Sequence, residues 1–576
     1  MNTRQSEKPL AGSYLLLAVV LIVSIMPYFW GLGKADIQDV DEAAYGEIAR
    51  EMVASGDWIS PTLNGEPFDQ HPPLVPWIMA LSIKLFGVTP LAVRLPNALL
   101  ALVGLFLTYS IGRRIAGKGT GILAALALVT APAYHLMVRD ARLDMALMVF
   151  IALALWGVVS YLYEPKKYYL ILAYIGTALA FLTKGPIGLI VPFFVVGIFI
   201  IMTRRWNLIM RLGLPWGLAI IAVILLPWYW AMYRAHGSNY LYVLFVVQNF
   251  KRFATTNYAG KSDPFFYVHT FAWMFLPWIV AIFWHMVRRF PALRPARFDL
   301  NRMSPQEPAP GLMTIWLIAP IILMSFSRTK LPQYIFFVLP AAAVIAGSFL
   351  SNYIDGVMGE RGRRAFSIYT FILTLILAAG VGVIVTLMFP IHEVVWNLIL
   401  GAALFGILVI GLFSLISKKR VSLIATLCLM VGLVHLLITV HLSPAMLVYQ
   451  PYRGFAADLS NAGIPDKDIY FVGKNFKSSF LFYSGRHAVT VPGQDYTILE
   501  DTTRNGSPAY IIATGEAIPA LESAGYSVEV ISTRDYFHTS LPKKKFLFAK
   551  TRPDAAHPMI LGRLTKYDGG KQPGPQ

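Results

Sequence analysis

The sequence predicts a polytopic α-helical membrane protein with a small α/β domain at its C-terminal end. Three observations carry this. The 576 residues are 56% hydrophobic and 14% charged, with a mean hydropathy of +0.58, a balance that ordinary water-soluble chains do not have. Runs such as Tyr14 to Trp30 and Phe366 to Met388 are long enough to cross about 30 Å of hydrocarbon. After Leu442 the apolar runs shorten to strand length, at Asp468 to Val472, Ala509 to Ala513, Val528 to Ser532 and Lys545 to Lys550. Helical patterns at Tyr452 to Ala462 and Glu516 to Ala524 separate them.

Taken in order, spans are expected near residues 13–30, 91–111, 119–135, 144–163, 168–183, 187–203, 213–232, 266–286, 311–326, 333–350, 366–388, 394–416 and 421–441, thirteen in all. Val75 to Phe86 and Tyr240 to Phe250 are apolar but short, and read as interfacial helices. The formal charge of +18 does not point to nucleic acid, because the basic residues alternate with topology. Arg113, Arg114 and Lys118, then Lys166 and Lys167, Arg204, Arg205 and Arg211, Arg288 to Arg297, Arg361 to Arg364, and Lys418 to Arg420 fill every second loop, as the positive-inside rule requires. Those loops and the N-terminus are expected in the cytoplasm. The loop at 31–90 and the chain after Leu442 are expected on the opposite side, which in a bacterium is the periplasm. Charges ahead of the first apolar run resemble a signal peptide, but no small-residue cleavage site follows, so the run reads as a retained helix. The single cysteine, Cys428, rules out an internal disulfide and a thiolate metal cluster. The expected division is 1–442, 443–563 and a disordered Gly/Pro-rich tail at 564–576. No period of 20 to 50 residues recurs.

One polar stretch, Asp39 to Pro76, gathers Asp39, Asp41, Glu42, Glu47, Glu51, Asp57, Glu66 and Asp69, with His71 near its end. Asp41 is placed to cap a helix over Glu42 to Ser55 that Gly56 ends. Tyr45, Ile48, Ala49 and Met52 share a face, so this helix is expected to lie on the bilayer with its carboxylates in water. Four further features fall on the same side. Asp69-Gln70-His71-Pro72-Pro73 is a rigid turn. Arg139-Asp140-Ala141-Arg142-Leu143-Asp144 joins two spans with cations that run against the charge bias. Lys184 ends a span at a Gly-Pro turn. Gln248 to Phe253 and Ser327 to Tyr334 bring Lys251, Arg252, Arg328 and Lys330. Each also has a plain structural use: Asp41 and Asp144 as helix caps, Lys184 as a snorkelling side chain.

Cations facing carboxylates at a membrane surface suit transfer from a lipid phosphate. Cations stabilise the charge that grows on the leaving phosphate, and a carboxylate orients or deprotonates the incoming nucleophile.

At these residues the chain resembles a known family. Asp41-Glu42 with Tyr45 and the following Glu-Ile-Ala-Arg-Glu-Met, then Ala54 to Trp58, Pro72, Thr183-Lys184-Gly185, Arg252-Phe253 and Lys330-Leu331-Pro332-x-Tyr334 look like the bacterial aminoarabinose lipid A transferases. These belong with the protein O-mannosyltransferases among the GT-C glycosyltransferases. The similarity covers roughly residues 13–440. The resemblance implies a GT-C fold, a polyprenyl-phosphate sugar donor, and inverting transfer of a pentose or hexose on the periplasmic side of the inner membrane, with lipid A as first acceptor. A hydroxyl of a protein serine or threonine, or of another glycan, is the alternative. By position, it implies catalytic roles for Asp41, Glu42 and Asp144 and donor-phosphate binding by Arg252, Lys184, Lys330, Arg328 and His71. A sugar or acceptor pocket would be formed by Tyr45, Asp69, Arg142 and Tyr334. It requires no cofactor, though Asp69 and His71 leave a divalent metal open. Two positions differ from the aminoarabinose enzymes: His71 stands where they carry a lysine, and Gln248 where they carry an acid. A lipid or sugar transporter is the non-enzyme rival, for which mid-span ionisable residues and related halves are expected. A scaffold acting through the C-terminal domain is the third reading.

Overall fold

The computed structural model describes residues 8–255, 263–289, 309–464, 468–473, 476–493, 495–503, 508–539 and 543–566. The basic residues Arg294 and Arg297 and the tail from residue 567 lie outside the described residues. Among the described residues, eight helices are long and apolar enough to cross a membrane. The thirteen segments expected from the sequence fall mostly on helix, with the one at 119–135 interrupted at Thr130 and Ala131. The chain opens with α1 (Lys8–Phe29), α2 (Asp41–Ser55), α3 (Leu74–Phe86) and α4 (Pro90–Val129). The 40 residues of α4 take up two of the expected segments, because Ala116 and Gly117 leave helical geometry, with Gly117 at φ 88°. Then come α5 (Pro132–Arg139), α6 (Leu143–Tyr163), α7 (Lys167–Lys184), α8 (Ile187–Thr203), α9 (Asn207–Arg211) and α10 (Leu214–Tyr242).

Beyond α10 the helix widens over Val243–Lys251 and ends in α11 (Arg252–Ala254). The segment expected at 266–286 is broken by Pro277 into α12 (Phe266–Met274) and α13 (Ile279–Arg289). Next are α14 (Ala309–Ser325), α15 (Leu339–Ile354), α16 (Glu360–Val383), α17 (Val394–Ile416) and α18 (Arg420–Leu437). Packing is tightest where α15 lies against α4 and α6 against α7. There Gly347 of α15 meets Ala124 of α4, and Gly157 of α6 meets Ala173 of α7, residues small enough to bring helix backbones close. One end of the bundle carries the loops around Arg114 and Glu164, joined by Arg114 Nη2 donating to Tyr169 Oη at 2.5 Å. The other end carries the loop before α3 and everything after α18.

That other end is closed by a five-stranded sheet. After α19 (Ser443–Leu447) and α20 (Tyr452–Asn461) come β3 (Ile469–Val472), α21 (Ser478–Ser484), β4 (Ala488–Val491), α22 (Thr497–Thr503), β5 (Ala509–Thr514), α23 (Ile518–Ser523), β6 (Tyr526–Tyr536), α24 (Lys544–Leu547) and β7 (His557–Lys566). The strands β1 (Thr62–Leu63) and β2 (Glu66–Pro67) form a separate hairpin in the first loop. The sheet order is β4-β3-β5-β7-β6, parallel across the first three strands and antiparallel at the other edge. Three readings are corrected here. Lys545 to Lys550, expected as a strand, opens in the helical turn α24 and runs on without strand pairing. The strand β7 was not expected, and it extends to Lys566, so residues 564–566 belong to the sheet and not to a tail. The strand β4, Ala488–Val491, was also missed.

Apolar burial explains the location of α2. Tyr45, Ile48, Ala49 and Met52 are buried as the 3.6-residue period requires, but so are Glu42, Glu47 and Glu51. The expectation of a helix with its carboxylates in water is therefore wrong. The second face of α2 is covered by α21, where Gly46 meets the Phe482 ring. The helix begins at Asp41 itself, and no side chain caps it. Gly56 ends it in a left-handed conformation, its N–H bonded to Met52 O at 3.0 Å.

Candidate active site at one end of the helix bundle

A cavity of about 580 Å³ opens at this end, between α2, the Gln70-His71 turn, α6, α7, α8 and the segment after α14. Its polar wall contains Asp41, Tyr45, His71, Arg142, Asp144, Lys184 and Tyr334, drawn from five separate stretches of sequence. Its apolar wall contains Leu147, Ile187, Ile190, Leu323, Met324 and Phe337. Charged groups beside an apolar wall suit a ligand with an anionic head and a hydrocarbon chain.

The charges are arranged as two facing pairs. Asp144 opens α6 and is bonded by Lys184 Nζ, from the end of α7, at 2.6 Å. The same ammonium stands 5.3 Å from the centre of the Tyr334 ring. Arg142 Nη1 lies 3.4 Å from Asp41 Oδ2, and the Asp41 side chain remains 46% exposed, so its carboxylate faces the cavity with room for a ligand. Arg142 Nε also lies 2.6 Å from Asp140 Oδ2, close in distance but without hydrogen-bond alignment. Burial pushes the Asp140 carboxyl up to about 7 against the pull of Arg142. Burial alone would lower the Arg142 guanidinium, but Asp140, Asp41 and Asp144 around it hold it well up.

The turn that aims Arg142 is held by a residue the sequence did not single out. Asn97, fully buried on α4, donates to the carbonyls of Met137, Asp140 and Arg142 at 3.4, 3.3 and 3.2 Å. Four carboxamides also line the cavity: Gln70, Gln248, Asn249 and Gln333. They stand inside the motifs quoted above, yet nothing local marks a glutamine as pocket-lining, and none was assigned a role.

Four expected site residues are placed elsewhere. Glu42 is 1% exposed and points away from the cavity, bound by Arg94 Nε at 2.6 Å and Nη2 at 2.9 Å. This corrects its expected catalytic role: one step along a helix turns a side chain by about 100°, so Asp41 and Glu42 face different partners. Lys330 is turned outward, its Nζ donating to Asp263 O at 3.1 Å. Arg328 is exposed, and its backbone N–H donates to Phe253 O at 3.0 Å. Asp69 is half-buried and does not line the cavity. Arg252 begins α11, and its side chain lies outside the described residues. The nearby Arg139, which also runs against the charge bias, donates to Trp30 O at 3.0 Å and Gly31 O at 3.2 Å. Its reason is structural. Among the described residues no three of His, Cys, Asp and Glu gather to hold a metal.

A multi-pass helical bundle with a cavity of paired charges at one end, closed by its first long loop and a small α/β unit, matches the architecture expected from the resemblance to the GT-C membrane glycosyltransferases. Comparison with known proteins agrees. Residues 70–230 match the family described as dolichyl-phosphate-mannose-protein mannosyltransferase. An uncharacterized protein of Aquifex aeolicus is 32% identical over 58% of this chain and 64% of its own, so the aligned part is just under two thirds of that relative. The undecaprenyl phosphate-alpha-4-amino-4-deoxy-L-arabinose arabinosyl transferase of Edwardsiella ictaluri is 28% identical over 72% of this chain and 74% of its own. The crystal structure of ArnT from Cupriavidus metallidurans bound to undecaprenyl phosphate superposes with a TM-score of 0.74. It is 22% identical and covers 95% of this chain and 97% of its own, which shows the shared fold. The chain is thus similar to the aminoarabinose transferases over most of its length and to the protein mannosyltransferase family over residues 70–230, and it shares the fold of the ArnT structure.

Proposed function

We propose that the protein transfers a sugar from a polyprenyl-phosphate donor to lipid A, in the manner of the aminoarabinose transferases, on the periplasmic face of a bacterial inner membrane. The observation that carries this reading is Asp41, half-exposed beside Arg142 in a cavity that Lys184 also lines, with an apolar wall next to them. The polyprenyl chain lies along Leu147, Ile187 and Ile190, and the phosphate sits by Lys184, which releases Asp144 to accept it. An acceptor oxygen attacks the anomeric carbon, the bond from that carbon to the phosphate oxygen breaks, and the electron pair leaves on polyprenyl phosphate. Lys184 and Arg142 stabilise that growing charge. A lipid A phosphate is already an anion, and Asp41 then orients the reactants through Arg142.

The exposed carboxylate of Asp41 also supports a second acceptor class. For a hydroxyl of a protein or glycan, Asp41 takes the proton as general base. The basic loops at the opposite end of the bundle support a cytoplasmic N-terminus and a periplasmic C-terminal unit.

The test supplies purified protein in liposomes with extracted polyprenyl-phosphate sugars and with lipid A or peptide acceptors, and reads products by mass spectrometry. Sugar is expected on lipid A with wild type and not with Asp41→Asn. Undiminished product from Asp41→Asn would remove Asp41 from the chemistry. No donor consumption with any acceptor would overturn the transferase reading.

A further inference from the structure

The C-terminal α/β unit does not merely sit over the cavity. It grips the five residues that lead into Asp41. Arg453 Nη1 is 2.7 Å from Asp36 Oδ1. Tyr483 Oη accepts from Ile37 N at 2.9 Å. Gln450 Oε1 accepts from Asp39 N at 3.2 Å, and Gln450 Nε2 is itself held by Thr539 Oγ1. Asp39, 5% exposed, accepts from Ser479 N at 3.1 Å and Ser479 Oγ at 2.6 Å. These partners come from 411 to 446 residues further along the chain. From the other side, Arg94 Nη1 donates to Leu32 O at 3.1 Å and Ala35 O at 2.7 Å, and Nη2 donates to Asp36 O at 2.7 Å.

We infer that Ser479, Tyr483 and Gln450 are positioning residues for the reaction, which set the Asp41 carboxylate by fixing Asp36 to Val40 from above. This rests on the transferase reading. The loop has no regular structure of its own, so its conformation depends on these bonds. A carboxylate that must meet an acceptor atom within tenths of an ångström loses rate when its tether loosens. Ser479 is buried and does not line the cavity, so substrate binding is expected to be retained.

The test compares Ser479→Ala, Ser479→Thr and Tyr483→Phe in the full-length protein. Expected is a fall in kcat of about three- to tenfold for Ser479→Ala, with donor KM unchanged. Ser479→Thr, which keeps the hydroxyl, recovers at least half of the rate. A purely structural role would lower the folded yield and leave kcat per folded molecule as in wild type, which would overturn the inference. Hydrogen exchange of the amides from Ile37 to Ala44 gives a readout that needs no turnover. It rises in Ser479→Ala if the grip is real, even should wild type prove inactive on every donor, and unchanged exchange would also overturn the inference.

A different observation carries a second inference. Lys543, Lys544, Lys545 and Lys550 are exposed around α24, and this stretch is pinned to the end of the apolar helical run Glu360–Met388. Ala549 N donates to Leu387 O at 3.0 Å, Arg552 Nη2 bonds Met388 O, and its guanidinium lies 3.6 Å from the Phe389 ring centre. Phe537 and Phe546 stack at 3.9 Å beneath it. Four lysines are thereby held beside the end of that apolar helical run. The geometry points to a surface that binds the phosphate of anionic membrane lipids, away from the cavity.

The probe is the full chain in nanodiscs of phosphatidylglycerol and phosphatidylcholine, read by native mass spectrometry of co-purified lipid. With Lys543, Lys544, Lys545 and Lys550 all changed to Gln, retained phosphatidylglycerol is expected to fall at least about fivefold. The corresponding change to Arg is expected to keep it. Equal retention by the Gln variant, or displacement of the lipid by millimolar inorganic phosphate, would overturn the lipid assignment.

Discussion

Removing Arg94 separates structure from chemistry at the first loop. Arg94 is 3% exposed, and its guanidinium makes five hydrogen bonds: two to Glu42 and three to the carbonyls of Leu32, Ala35 and Asp36. In Arg94→Met, the Glu42 carboxylate, 1% exposed, keeps Gln38 N at 2.8 Å and loses both bonds to the guanidinium. Breaking a buried pair from one side costs about 3–5 kcal/mol, because the surviving charge stays in the interior. Glu42→Gln strands the guanidinium instead and falls in the same range. The double variant strands neither charge, so its cost should lie below the sum of the two by about 2 kcal/mol. The assay is unfolding in a denaturing detergent series, followed by tryptophan fluorescence, with transfer activity measured per folded molecule. If Glu42→Gln unfolded like wild type but had lost transfer, the structural assignment would be refuted and Glu42 returned to the chemistry.

The remaining predictions are briefer. Lys184→Gln, which removes the ammonium 2.6 Å from Asp144, should raise the donor KM at least about tenfold, about 1.4 kcal/mol, while Lys184→Arg keeps part of the affinity; equal KM values in steady-state kinetics would exclude Lys184 from donor binding. Burial pushes Glu47 from 4.5 up to about 7 despite its bonds to Arg50. The folded protein therefore holds a proton that the unfolded chain releases, and stability falls as pH rises from about 4.5 to about 7, then levels off. The window is worth about 3 kcal/mol, and comparing stability profiles of wild type and Glu47→Gln should show that slope flattened in the variant. A side chain at Gly188 would place its Cβ 2.2 Å from the backbone carbon of Ala180. Gly188→Val should therefore separate α7 from α8 and cost upward of about 1–3 kcal/mol, visible as loss of monodisperse protein on size exclusion after mild heating.

The spans were legible because each needs only its own apolar run, and a run of that length has no other use. Boundaries failed where the deciding partner was distant. The strand β7 is a plain ten-residue stretch, His557–Lys566, that becomes a strand by pairing with both β5 and β6. The cavity was legible at Asp41, Tyr45, His71, Arg142, Asp144, Lys184 and Tyr334. Arg142 and Lys184 stand out as cations on the side that the charge bias avoids, whereas the places of Tyr45 and Tyr334 came from the family resemblance. Lys330 had the same signal, yet it turns outward to Asp263 O, and sequence carries no sign of which way a loop lysine faces.

The stretch Asp39-Val40-Asp41-Glu42 shows where such reading ends. Its three acids have nearly the same chemistry and lie within four residues. Asp39 is held by Ser479, 440 residues away; Glu42 by Arg94, 52 residues away; and Asp41 alone reaches the cavity, beside Arg142. Local sequence fixes that all three are acidic and that a helix begins there. The division of labour among them is set by long-range partners. The two acids turned away from the cavity therefore matter to the one that lines it: with Asp39 fixed by the α/β unit and Glu42 by the bundle, Asp41 between them is held by both halves of the protein. Truncating the chain at Leu442 would remove the upper hold and leave the lower. On this geometry, the truncated bundle should still bind a polyprenyl phosphate at Lys184 but transfer sugar far more slowly than the full chain. Equal transfer would mean that Arg94 alone suffices to set the carboxylate.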